Sequence, residues 1–71
     1  MRIDPDKLFL RCAELEITER QALAKAGVAP DLLSRIRKGS RIQAPTLAKL
    51  AKALDVRPQD LVVLERLPWQ S

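Results

Sequence analysis

Histidine and tyrosine are absent from this 71-residue chain, and cysteine, methionine, phenylalanine and tryptophan occur once each. The lone Cys12 has no partner for an intrachain disulfide, and without histidine a Cys/His zinc site cannot be assembled. Those two absences matter because domains below about 70–80 residues draw only ~3–5 kcal/mol from a single core and usually add a reinforcement. Self-association is the one that remains. Enzymatic chemistry lacks reagents as well: there is no imidazole, the only thiol falls on an apolar stripe, and no glycine-rich phosphate loop exists. The chain therefore reads as non-enzymatic, with no cofactor and no metal. Single-strand nucleic-acid binding needs several stacking platforms, and Phe9 and Trp69 are the only aromatics.

Long apolar runs are missing too. Leu61-Val62-Val63-Leu64 is typical of the longest stretches, and Met1-Arg2-Ile3-Asp4-Pro5-Asp6 has nothing of signal-peptide or membrane-span length, so a cytosolic protein is expected. What the chain does carry is positive charge. Thirteen Lys/Arg against nine Asp/Glu give a net charge of +4. Its distribution says more than its total, because Arg35, Arg37, Lys38, Arg41, Lys49 and Lys52 lie between Leu32 and Leu54 with no acid among them. A stretch of one sign is either a solvated face or the footprint of a polyanionic partner.

Punctuation divides the chain into five predicted helices. Asp4-Pro5-Asp6 supplies an N-cap oxygen, a proline suited to a first turn and an acid at the positive end of the dipole, followed by Leu8, Cys12 and Leu15 on one stripe. Cys12 on that stripe reads as a buried structural thiol. Thr18-Glu19-Arg20-Gln21 fits a capping box that opens a second helix, and Gly27 can end it in the left-handed conformation. Pro30 opens a short basic third helix over 30–38, with Leu33 and Ile36 as its inner pair and Gly39 as its stop. Pro45 begins a fourth, with Leu47, Leu50, Ala51 and Leu54 inside and Lys49 and Lys52 on its wet side. Arg57-Pro58-Gln59-Asp60 begins a fifth, carrying Leu61, Val62 and Leu64. Alternating β-branched residues and Asn-Gly or Asp-Gly turns are scarce, so an all-α fold is expected.

The second and third helices, joined at Gly27-Val28-Ala29, form the two-helix unit whose second member can enter a major groove. From Ala26-Gly27-Val28 through Leu33-Ser34-Arg35-Ile36 and Lys38-Gly39, then Arg41-Ile42, Thr46-Leu47, Leu50-Ala51-Lys52-Ala53-Leu54 and Asp60-Leu61, the sequence resembles the phage-repressor/Cro-type helix-turn-helix family. That resemblance implies a compact five-helix, lambda-repressor-like DNA-binding domain over residues 1–71, with its helix-turn-helix core at about 18–39. It implies a transcriptional regulator, expected to be a repressor, working on double-stranded DNA as a homodimer. Pro30, Asp31, Ser34 and Arg35 take the positions that face bases or nearby phosphates. Lys38, Ser40 and Arg41 take those that touch backbone after the helix, and Glu19 and Arg20 stand at the second helix's N-terminus. Two departures are visible: Ala22-Leu23 replaces the family's Leu-Ala pair, and Glu19 replaces a glutamine.

The chemistry of these side chains sorts them further. Arg35 can bind guanine O6 and N7 bidentately, worth roughly 1–3 kcal/mol of discrimination, or serve as a surface or phosphate arginine. Ser34 permits close approach, and Pro30 fixes the helix start. Asp31 either accepts from cytosine N4 or favours the helix N-terminus through the dipole. Lys38 and Arg41 suit phosphate. Arg37 is expected on a different face from Ser34 and Lys38.

Segment 58–71 holds more apolar surface than a short helix buries, so Val63, Leu67 and Trp69 are expected to form a homodimer interface, or else to fold back on the first helix. Pairing suits the size of the domain, because one module covers only ~600–1,000 Å² on DNA. The competing reading is a protein-interaction module, such as an antitoxin holding a partner protein, favoured by the acids Glu19 and Asp31 on the presumed DNA face.

Overall fold

The computed structural model describes residues 1–63. Four α-helices, α1 (Pro5–Glu14), α2 (Glu19–Ala26), α3 (Leu32–Arg37) and α4 (Ala44–Ala53), are followed by a single 3₁₀ turn, Pro58–Asp60. The all-helical class is as expected, but where a fifth helix was expected the described residues form only that 3₁₀ turn. After the 3₁₀ turn the chain runs extended, and Val62 pairs antiparallel with Ile3. The Asp4 amide donates to the Leu61 carbonyl at 2.7 Å and the Val63 amide to the Arg2 carbonyl at 2.9 Å. Extended backbone wins because it zippers onto Met1–Asp4 and buries Ile3, Leu61 and Val62 together.

One core of fourteen buried apolar residues joins all four α-helices, with α2 packed on α4, α1 and α3. Leu8 and Cys12 come from α1, Ala22 and Leu23 from α2, Leu32 and Ile36 from α3, and Leu47, Leu50 and Ala51 from α4. The inverted Ala22-Leu23 pair is accommodated, since both side chains are fully enclosed. On α3 the inner pair is Leu32 with Ile36, while Leu33 is half-buried at the flank. The i, i+4 spacing of Leu32 and Ile36 places them on one side of the helix as well as i, i+3 would.

Local signals set the helix ends. The Asp4 carboxylate accepts from the Asp6 amide at 2.9 Å. At α2 the Gln21 amide donates to Thr18 Oγ1 at 3.0 Å while the Thr18 amide donates to Gln21 Oε1 at 2.8 Å. All four helices finish with the same pair of closing bonds, one of five-to-two and one of six-to-one type, around a residue of positive φ. Those residues are Gly27 and Gly39, but also Glu16 (φ 57°) and Asp55 (φ 55°).

Two side chains lock the bundle across the chain. Arg11 Nε donates to the Leu54 carbonyl at 2.9 Å, and Lys7 Nζ donates to the Val62 carbonyl at 3.1 Å. Among the described residues no helix is long and apolar enough to cross a membrane.

A non-glycine side chain in the left-handed region costs roughly 1–2 kcal/mol. Glu16→Gly should therefore raise the unfolding free energy read from urea melts, by about 1 kcal/mol or somewhat less after the added unfolded-state entropy of glycine. Gly27→Ala should lower it by a similar amount. An added Cβ there meets nothing within 4 Å, so its cost is conformational and not a clash.

Burial, and secondarily the Glu19 carboxylate, push the Cys12 thiol above its ordinary value of 9.0. Above pH 9 the unfolded chain then releases this proton before the folded one, so stability should decline as pH rises towards the folded value. Urea melts across that range check this, with Cys12→Ala expected to flatten the dependence.

Candidate nucleic-acid interface

The turn Gly27-Val28-Ala29 brings α3 across α2 and leaves its outer side uncovered by any other described segment. Val28 is half-buried against the core and anchors the turn. Pro30 and Asp31 do not belong to the helix: the Leu32 amide bonds to the Ala29 carbonyl and the Leu33 amide to the Pro30 carbonyl, each closing a tight turn before α3 begins. Proline thus sets the approach rather than the first helical residue. Asp31 occupies the cap position but makes no side-chain cap hydrogen bond.

Of the residues expected at base edges, Pro30, Asp31, Ser34 and Arg35 are all exposed. Past the helix, the Gly39 amide bonds to the Ile36 carbonyl and the Ser40 amide to the Arg35 carbonyl, turning the chain sharply. Lys38 caps α3 and is exposed, Ser40 is half-buried with its amide consumed by that turn, and Arg41 is exposed. Arg41 is fixed through its backbone, which pairs with Arg2, and the next amide, of Ile42, donates to the Met1 carbonyl at 2.7 Å.

Polar clefts flank α3 on both sides. The first, of about 290 Å³, lies between the N-terminus of α2 and α3, lined by Thr18, Glu19, Arg20, Pro30, Ser34 and Arg37 among others. Here the structure corrects the expected position of Arg37. It shares this cleft with Ser34, three residues before it, because that spacing makes neighbours on a helix. Its Nη2 stands 3.6 Å from Glu19 Oε1, so the acid that replaces the family's glutamine is paired within the chain. The second cleft, also about 290 Å³, lies on the side of α4 and brings Asp31 and Arg35 beside Thr46 and Lys49. Sequence reasoning had assigned Lys49 only to a wet face, since nothing local links position 49 to position 35.

At the start of α2, Thr18 satisfies the Gln21 amide through its hydroxyl and the Ala22 amide through its carbonyl. The amides of Glu19 and Arg20 have no acceptor among the described residues, which is the usual state of the first donors of a helix and a favourable setting for an anion. Of the expected dimer residues, Val63 is exposed and follows the Val62 pairing, whereas Leu67 and Trp69 lie outside the described residues.

A short helix held at both ends, carrying cations on an open side and bordered by a second helix's free amides, defines a helix-turn-helix DNA-binding domain. Residues 7–66 match the family of Cro/C1-type HTH DNA-binding domains, and the chain belongs to that family. A solved structure described as native PhpD with cadmium atoms superposes with a TM-score of 0.75 at 31% identity. The match covers 94% of this chain and 15% of that one, so the chain spans a small part of that protein's length. Among curated proteins no significant match is found.

On the phosphate role expected of Lys38, its replacement by alanine should weaken binding to every duplex about equally, since a phosphate contact carries no base information. Fluorescence anisotropy across a salt series should show the slope of log K against log salt becoming shallower by about 0.9.

Proposed function

We propose that this protein is a sequence-specific transcriptional regulator, a repressor, that reads the major groove of double-stranded DNA with the outer side of α3. The observation that carries this reading is the free face of α3: the side chains of Ser34 and Arg35, between the buried anchors Leu32 and Ile36, and of Lys38 just past them are exposed and make no hydrogen bond or ion pair among the described residues. In this reading Arg35 and Ser34 meet base edges, with Pro30 and Asp31 at the leading end of the helix. Lys38, Ser40 and Arg41 grip one stretch of backbone. Glu19 and Arg20 grip another through their free main-chain amides, which removes the difficulty of an acid at that position. The site of action is the cytoplasm, and neither cofactor nor catalysis is involved.

A six-residue helix reaches about 9 Å along a groove, and one such module buries little DNA surface. Two copies related by a twofold axis would double the contact and fix half-sites about 34–36 Å apart. The exposed Val63, at the end of the segment that leads to Leu67 and Trp69, supports a homodimer contact there. A second reading, a module that holds a protein partner in the manner of an antitoxin, draws on Asp31, an exposed acid with no cap bond to occupy it.

Selection of duplexes from a random pool tests the first reading directly. A palindromic consensus is expected, and enrichment of nothing would favour the protein-partner reading. Arg35→Ala should relax preference at one base pair, by roughly 1–3 kcal/mol, with the thermal midpoint nearly unchanged. Sedimentation with the selected duplex should give two copies per duplex, and Val63→Asp should reduce this to one. A single wild-type copy at every protein concentration would remove the dimer.

A further inference from the structure

Glu19 and Arg37 come from different helices and form an ion pair across the mouth of the α2–α3 cleft, with Nη2 to Oε1 at 3.6 Å. Their exposures differ sharply. The Glu19 side chain is 18% exposed, held against the bundle, whereas the Arg37 side chain is 64% exposed and leaves most of its donors in solvent. At 3.6 Å the contact is an ion pair without a good hydrogen bond, so a better-placed anion can replace it. The cleft beneath holds Thr18, Arg20 and Ser34, and it opens onto the start of α2, where two main-chain amides are free. A guanidinium presents five donors in a planar fork that fits a phosphate bidentately, which the single long contact to Glu19 does not exploit.

We infer that the Glu19 carboxylate is an internal stand-in for a DNA phosphate: it holds Arg37 in the free protein, and on binding Arg37 exchanges it for a backbone phosphate at the α2–α3 cleft. This assignment rests on the DNA-binding reading above and adds to it a residue, Arg37, and a device. The exchange takes a carboxylate partner away from Arg37 for every phosphate it gains, so weak contact with arbitrary duplex is penalised. Full registry, in which the neighbouring residues of α3 also engage, overcomes that penalty. Glu19 thereby lowers the affinity for any duplex whose phosphate Arg37 takes, without touching a base.

A double-mutant cycle on the full chain separates this exchange from the alternatives. Binding to a fixed mixed-sequence 24-base-pair duplex is measured by anisotropy over a salt series for the wild type, Glu19→Gln, Arg37→Ala and the double variant. Lys38→Ala serves as an independent phosphate control, and Arg37→Gln replaces Arg37→Ala if circular dichroism shows the latter unfolded. Exchange requires Glu19→Gln to tighten binding to this duplex, by roughly two- to fivefold for an exposed pair. It also requires the loss caused by removing Arg37 to be larger in the Glu19→Gln background than in the wild type, with the salt slope shallower by about 0.9 there. A smaller loss in that background would mean that Arg37 only screens a fixed acid, and no loss would mean that it does not meet DNA. Either result overturns the exchange while Lys38→Ala still weakens binding, leaving the DNA-binding reading intact. Salt-independent wild-type binding with a silent Lys38→Ala would overturn both.

Discussion

The burial of Leu32 and Ile36 is the constraint on which the recognition surface depends. A helix of six residues is far too short to persist in water by its own hydrogen bonds, so α3 exists because these two side chains are enclosed by the bundle and because its ends are tied. Burying an isoleucine is worth ~1.5–3 kcal/mol, a large share of what a domain of this size commands. The turn of Ala29–Leu32 brings the chain in, and the bonds around Gly39 take it out. With both ends and the inner face committed, the remaining side chains are free to meet a ligand. Fold and recognition are thereby divided among different residues of the same two turns.

The chain's two ends contribute a second tie. Met1–Asp4 lies between Arg41-Ile42 on one side and Leu61–Val63 on the other, bonded by main chain to both. Arg41, at the exit from the recognition helix, therefore has its backbone held by the N-terminal segment, and that segment in turn holds the extended stretch ending at Val63. Arg41, proposed to grip phosphate, and the proposed dimer contact are mechanically linked through three short stretches of extended chain. Were the protein to act as the proposed dimer, such a connection would suit it, since slack between groove and twofold axis would blur the half-site spacing.

Much of this was legible because it is local. The capping box at Thr18, the proline and acid at α1 and the two glycine stops act over three or four residues, and the structure places each where the sequence implied. The inner pair of α3 was misassigned because Leu32 and Leu33 are adjacent and six residues give too few turns for periodicity to choose between them. At residues 61–63 the expected helix gives way to extended chain for a longer-range reason. Val62 finds its partner, Ile3, at the opposite end of the chain, and no window around residue 62 contains that information. Glu16 and Asp55 were missed as left-handed closures because neither is a glycine, although each is placed like Gly27 and Gly39 just past a helix. Lys49 and Arg37 joined the candidate surface only when α2, α3 and α4 were assembled around it.

The two acids at this surface then take different physical meanings. In a genome of competing sites, what matters to a regulator is the ratio of specific to generic affinity, and uniform attraction to phosphate raises both. Asp31 is exposed and uncapped, so near a duplex it is repelled unless a donor such as cytosine N4 receives it. Glu19 is mostly enclosed and already has a cation, so its repulsion is muted until that cation leaves. On the proposed reading, Asp31 discriminates by what it must find in the groove, whereas Glu19 tempers affinity through the cation that must be given up to enter it. In the same reading, a basic surface interrupted in this way binds generic DNA less tightly than its six clustered Lys and Arg residues would suggest, and Asp31 adds selectivity wherever the correct sequence supplies it a donor.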